Sequence, residues 1–144
     1  MVLEGVGLLP VIDPSPESGP FWDGLRHGVV TIPLCLSCDR LFFYPRPLCP
    51  TCGSRSLEWC EVSGRGTLEA FCVHYHSSAP GLGDAVPFAT ALVRLDEGPR
   101  LMGFLLGVPE DPEQIRCGGE VVARFVPAVD GATALGFEPA APRP

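Results

Sequence analysis

Four of the seven cysteines fall in two pairs, Cys35-Leu-Ser-Cys38 and Cys49-Pro-Thr-Cys52. A Cys-x-x-Cys turn folds into a tight knuckle that aims both sulfurs at one point. Two facing knuckles make a tetrahedral four-sulfur site, a geometry that Zn(II) accepts and that keeps no coordination position open. The spacing therefore predicts a closed, structural zinc ribbon with Cys35, Cys38, Cys49 and Cys52 as ligands. Ten residues separate the two hooks, enough for one β-hairpin. Iron takes the same four thiolates, and the ligand set alone does not separate the metals; Zn(II) is the expected one. Two disulfides or four unmetallated thiols are the remaining readings. Disulfides need an oxidising compartment, of which the sequence carries no sign. A metal held by four thiolates has no site for an activated water, so hydrolytic chemistry is not expected at it.

The other residues with chemical potential are fewer. His74 and His76 are two apart, which places them on one face of a strand where they could meet a ligand or a second metal. No third ligand is identifiable, and two surface imidazoles are the plainer reading. Cys60, Cys72 and Cys117 each sit among apolar neighbours and are expected to be small buried hydrophobes, since none has the basic or helix-N-terminal setting of a reactive thiolate. There is no Gly-x-Ser-x-Gly elbow, no Walker loop and no dinucleotide fingerprint. The residues do not argue for an enzyme that works alone.

The elements that must hold these residues are short. The chain has 144 residues, 46% of them hydrophobic, with 17 Gly and 17 Pro. So many breakers favour brief strands joined by turns. Residues 1–17 read as an extended arm, because Pro10, Pro14 and Pro16 deny it both helix and internal strand. A helix of about two turns follows: Pro20 suits its first position, Gly28 its end, and Phe21, Trp22 and Leu25 form its apolar face. Val29–Leu34, Arg40–Tyr44 and Leu57–Val62 read as strands of the ribbon. Gly53 supplies the permissive backbone of the second knuckle. Ser63-Gly64-Arg65-Gly66 marks a turn and a domain boundary. Beyond it, Thr67–His76, Phe88–Asp96, Arg100–Gly107, Glu120–Pro127 and Thr133–Phe137 are strand candidates, with one helical turn expected over Glu110–Arg116. Five strands in that length match a small Greek-key barrel of the OB type. The predicted fold is thus mainly β: an arm (1–17), a helix plus zinc ribbon (18–62), an OB barrel (63–138) and a disordered tail (139–144).

Charge bears on the partner. The formal net charge is −7, and all ten cations are Arg. Residues 35–66 hold four Arg against Asp39, Glu58 and Glu61; the barrel half is acidic. Nucleic-acid affinity rests largely on neutralising phosphates, so a nucleic-acid-binding ribbon and OB module is the disfavoured alternative. No apolar run approaches the roughly 20 residues needed to cross a bilayer, and no targeting segment is visible. Cysteine in metal-type spacing makes the cytoplasm the expected location.

The segments Phe21-Trp-Asp-Gly-Leu-Arg26, Cys35-x-x-Cys38, Pro45-Arg-Pro-x-Cys-Pro-x-Cys-Gly53, Glu61-Val-Ser-Gly-Arg-Gly-Thr67 and Leu95-Asp-Glu-Gly-Pro-Arg-Leu-Met102 resemble the DUF35 family, an OB fold with a rubredoxin-like zinc ribbon. The likeness spans residues 20–138. It implies a non-catalytic accessory subunit of acyl-CoA and lipid metabolism, in a hetero-oligomer with a thiolase-like or lipid-transfer-protein-like enzyme. A thiolase, a steroid side-chain aldolase or an acyltransferase would fit, sometimes with a hydratase of the hot-dog fold. Within that frame Phe21, Trp22, Leu25, Phe42, Phe43 and Tyr44 are the expected partner-binding anchors; for the helix residues, packing on the chain's own ribbon is the competing reading. Arg46 and Arg65 are the expected contacts to the phosphates of a CoA thioester or to an acidic partner surface, since guanidinium pairs with phosphate through a bidentate fork. Solvated loop arginines are the alternative.

Overall fold

A computed structural model describes residues 14–79, 82–128 and 131–141. Most of the expected arm therefore lies outside the described residues. Its last part forms a single 3-10 turn, Pro16–Ser18, leading directly into helix α1, Gly19–Arg26. Pro20 sits in the first turn of α1, where a missing N–H costs nothing. Gly28, at φ +75°, ends it in a conformation that only glycine adopts cheaply.

Three strands make the ribbon: β1 (Val30–Cys35), β2 (Arg40–Leu41) and β3 (Leu57–Val62), in the order β2-β1-β3 and all antiparallel. The expected strand over Arg40–Tyr44 stops at Leu41. Phe42 gives its N–H to Pro33 O and then turns inward, so the apolar run Phe42-Phe43-Tyr44 is not a paired strand but the start of the loop to the second knuckle. Pro33 tolerates its place in the central strand partly because β2 is only two residues long.

Five strands then close a barrel: β4 (Arg65–His74), β5 (Phe88–Leu95), β6 (Arg100–Leu105), β7 (Glu120–Pro127) and β8 (Thr133–Pro139), in the cyclic order β4-β5-β6-β8-β7. Only the β6–β8 pair is parallel. This is the Greek-key order of an OB barrel. The strand expected over Thr133–Phe137 runs on to Pro139, and Ala140 N–H still bonds Glu120 O, so the described start of the tail is ordered. The expected turn over Glu110–Arg116 is a 3-10 turn, Pro112–Gln114; Asp111 accepts from Glu113 N–H, and Arg116 reaches back to the carbonyls of Glu113 and Ile115.

A bulge at Glu69 decides which way β4 faces. Pairing with β5 shifts between Leu68 and Ala70. Leu68 points into the barrel, and beyond the extra residue Phe71 and Val73 do so too. An inserted residue exchanges the two faces of everything after it. Cys72 therefore faces outward and is exposed, against expectation; Cys117, on a turn, is exposed as well, and Cys60 is half-buried. Glu69 itself stands outside, where it meets Arg94 and Arg100.

One core joins the two parts of the molecule. Phe21 and Leu25 of α1 and Val30, Ile32 and Val62 of the ribbon belong to the same buried cluster as Leu68, Val93, Leu101, Leu105 and Phe137 of the barrel. Fully burying each such side chain stabilises by about 1.5–3 kcal/mol. The crossing between the parts is tight. Gly64 adopts φ +72° and accepts from Ala123 N–H at 2.8 Å, and a Cβ on Gly66 would collide with the Arg94 carbonyl. Glu97, from the β5–β6 turn, takes the Ser63 N–H at 2.9 Å and the Ser63 hydroxyl at 3.1 Å.

Candidate metal centre

The far end of the ribbon is built from the two cysteine turns. Gly53, at φ +75°, closes the second one: its N–H bonds Cys49 O, and Cys49 N–H bonds Ser54 O, both at 2.9 Å. Thr51 N–H points at Cys49 Sγ, 3.4 Å away. The first knuckle is tied to the strand leaving the second by Leu36 N–H to Ser56 O at 2.9 Å. A hydroxyl pair, Ser37 to Ser54 at 2.7 Å, bridges the two turns.

These ties bring the four Sγ atoms within 4.8 Å of one another. Cys35 and Cys52 sulfurs are 3.5 Å apart, and those of Cys38 and Cys49 are 3.7 Å apart. Four sulfurs at about 2.3 Å from a central ion in a tetrahedron stand about 3.8 Å apart. The cluster therefore has the size such an ion needs, and all seven cysteines are thiols.

The charges fit as well. The backbone N–H of Cys52, then that of Thr51, stabilises the Cys49 thiolate and pulls its pKa down to about 6, against burial. The Cys38 N–H lowers Cys35 in the same way. Burial first, then the neighbouring Cys35 thiol, pushes Cys38 up to about 12. At Cys52 the Ser54 N–H lowers the value, but the Cys35 thiol and burial together raise it. Backbone dipoles thus favour the thiolate at Cys35 and Cys49, while burial and neighbouring thiols oppose it at Cys38 and Cys52. A coordinated divalent ion would offset that opposition, since it deprotonates its thiols.

A family profile described as "ChsH2, rubredoxin-like zinc ribbon domain" matches residues 22–58, and one described as "ChsH2, C-terminal OB-fold domain" matches residues 59–126. A "DUF35 domain-containing scaffold protein" of Pyrococcus furiosus is 38% identical over 70% of this chain and 72% of its own length. The chain belongs to the DUF35 family. Its fold superposes on a chain of a solved "Ltp2-ChsH2(DUF35) aldolase" with a TM-score of 0.78, at 30% identity, covering 92% of this chain and 100% of that one. A "Probable enoyl-CoA hydratase alpha subunit" of Thermomonospora curvata is 33% identical over 85% of this DUF35 chain, which spans only 38% of that relative's length.

Several of the residues expected to bind a partner are used by the DUF35 fold itself. Phe21, Leu25 and Phe42 are buried, the first two in the shared core, so they are not surface anchors. Trp22 and Phe43 are half-buried and pack on that core; Phe21 and Phe43 rings lie 5.0 Å apart. A two-turn helix cannot stand by itself, and here its aromatic face is covered by the chain's own strands. Tyr44 alone of the six remains mostly outside, at 46% exposure.

Arg46 is exposed, and Arg65 is half-buried at the start of β4 beside Val122. Neither forms an ion pair among the described residues. The two histidines do not act together. His74 contacts Thr90 Oγ1 at 3.0 Å and stacks on Phe88, while His76 lies beyond the end of β4, exposed.

Two exposed apolar residues escaped the sequence reading: Leu36 and Leu48, at 54% and 40% exposure. Their signal was positional. Each lies in or beside a cysteine turn too small to have an inside of its own. Among the described residues no helix is long and apolar enough to cross a membrane.

Proposed function

We propose that this chain is a non-catalytic, zinc-stapled scaffold subunit of an acyl-CoA-processing complex, where it docks on and completes a thiolase-like enzyme. The observation that carries the reading is the superposition of 92% of this chain on a chain of the solved "Ltp2-ChsH2(DUF35) aldolase". The likeness to part of a probable enoyl-CoA hydratase alpha subunit supports acyl-CoA chemistry, and a hot-dog-fold hydratase is the further partner that the reading allows. The sulfur cluster holds Zn(II) through Cys35, Cys38, Cys49 and Cys52, and the ion supplies rigidity rather than reactivity, because four thiolates fill its coordination. Residues 18–62 form the docking unit, and residues 63–138 the barrel that carries it. Arg46 and Arg65 stay as contacts to a CoA thioester or an acidic partner surface. A cytoplasmic setting fits a chain whose thiols must stay reduced to bind metal.

Co-expression with the genes adjacent to its own, followed by affinity purification, identification of what co-purifies and metal analysis, tests the proposal. A stable complex with about one zinc per copy of this chain, active only when both chains are present, is the expected result. A monomer that is active alone on an acyl-CoA, or one that carries nucleic acid, would overturn it.

A further inference from the structure

The largest exposed apolar side chains among the described residues are Leu36, Tyr44, Leu48, Tyr75 and Met102. Three of these five fall within residues 36–48, in and between the two cysteine turns of the ribbon. Leu36 stands inside the first cysteine turn, and Leu48 directly precedes Cys49 of the second. The sulfur contacts and the Ser37–Ser54 bridge hold the two turns against each other, so both leucines belong to one rigid tip. Tyr44 packs edge-on against Phe43, and through Phe43 against Phe21 of the core, which fixes its ring in place. Anchors that are ordered before binding lose little entropy on docking.

The charged side chains near these anchors are mostly basic. Arg40, Arg46 and Arg55 are all exposed, and none is in an ion pair among the described residues. Asp39 is the single acid in residues 36–56 of a chain whose net charge is −7. The thiolates around a divalent ion would add negative charge there: Cys35 and Cys49 are buried, Cys38 is half-buried and Cys52 is exposed, while all three guanidinium groups stand in solvent. Exposed apolar residues interspersed along one short segment with exposed Arg outside any ion pair have the composition of an interface core and rim.

We propose that this tip inserts into an apolar cleft with an acidic rim on the protein partner, with Leu36, Tyr44 and Leu48 as anchors and Arg40, Arg46 and Arg55 against the rim. The inference rests on the scaffold reading and names the surface that reading requires. A nucleic acid is the poorer occupant. The rest of the chain is acidic, and leucine offers a base no stacking face.

The test measures affinity between the zinc-loaded chain and the thiolase-like enzyme that co-purifies with it. The double variant Leu36→Gln/Leu48→Gln keeps its zinc and its barrel, because both side chains are already exposed, and lowers affinity at least about 100-fold. Arg46→Glu/Arg55→Glu lowers it about 10-fold and flattens its dependence on salt. Met102→Gln, which alters a still more exposed apolar residue on the barrel, leaves it unchanged.

Tip variants that bind as the wild type does, or a Met102→Gln variant that binds as poorly as the tip variants, would overturn the proposal while leaving the scaffold reading intact. A tip variant that still binds the enzyme but releases a single-stranded oligonucleotide held by the wild type would also overturn it, in favour of nucleic acid. A wild-type chain that does not bind the enzyme at all removes the scaffold reading and this inference together.

Discussion

The two ends of the ribbon are held by different physics. At the barrel end, Val30, Ile32 and Val62 are buried in the shared core under Phe21 and Leu25, and Glu97 fastens the connection at Ser63. At the knuckle end, residues 35–56 bury only Cys35, Phe42, Pro45 and Cys49. One end is ordered by apolar area removed from water. The other has too little to bury and brings four sulfurs together within 4.8 Å, where a coordinated ion would supply the order that burial does not. The end that cannot afford a core of its own is also the one that leaves Leu36, Tyr44 and Leu48 outside.

Metal removal gives the largest contrast. Structural zinc contributes on the order of 10 kcal/mol to its own site. Chelation, or Cys49→Ser with Cys52→Ser, should disorder residues 35–56 and abolish partner binding while β5 and β6 keep their amide protection in hydrogen exchange. A barrel that loses protection together with the knuckles would mean that the two ends are one cooperative unit.

Phe21→Ala probes the opposite end. Deleting this ring from the core should cost about 3–5 kcal/mol and lower the melting temperature of ribbon base and barrel together, with zinc stoichiometry retained. Tyr44→Ala should cost well under 1 kcal/mol of stability, as expected of an exposed side chain, and show its effect in partner affinity. Equal melting temperatures for the two variants would erase the distinction between core and anchor.

A smaller effect is expected at the joint. Glu97→Ala removes two hydrogen bonds to Ser63 that are exposed to solvent. It should cost about 1 kcal/mol and loosen the ribbon relative to the barrel, read as a weaker complex with unchanged metal content.

The smallest effect is one of pH. The Arg100 hydrogen bond, helped by the charges of Arg100 and Arg94, holds the Glu69 carboxyl below its ordinary pKa, against partial burial. Because the folded value is the lower one, this contribution is complete above the ordinary glutamate range and is lost as pH falls through the lowered value. Glu69→Gln should therefore flatten the acid limb of barrel stability slightly and leave metal release, which follows thiolate protonation, where it was. A shift in metal release would tie the barrel's outer face to the knuckles.

Much of this was legible beforehand, for local reasons. The cysteine spacing, the glycines at the turns and the alternating strands are written in stretches of a few residues. So the convergence of the four cysteines, the ribbon and the count of barrel strands could be read off. The bulge at Glu69 could not, because it is a mismatch between two strands, and it reversed the expected burial of Cys72. The aromatic residues show the same limit. Phe21, Leu25 and Phe42 read as anchors by size and proximity, but which large side chains face inward depends on what packs over them.

The sequence by itself determined the sulfur site, since two short turns with fixed spacing can converge without help from the rest of the chain. It also determined the family, through motifs that follow one another in order. Only the tertiary structure decided which apolar residues were consumed by the core and which were left over at the tip. Burial is a property of segments brought together: the helix that carries Phe21 packs on β1, next to it along the chain, and on β8, at the far end of the barrel sequence.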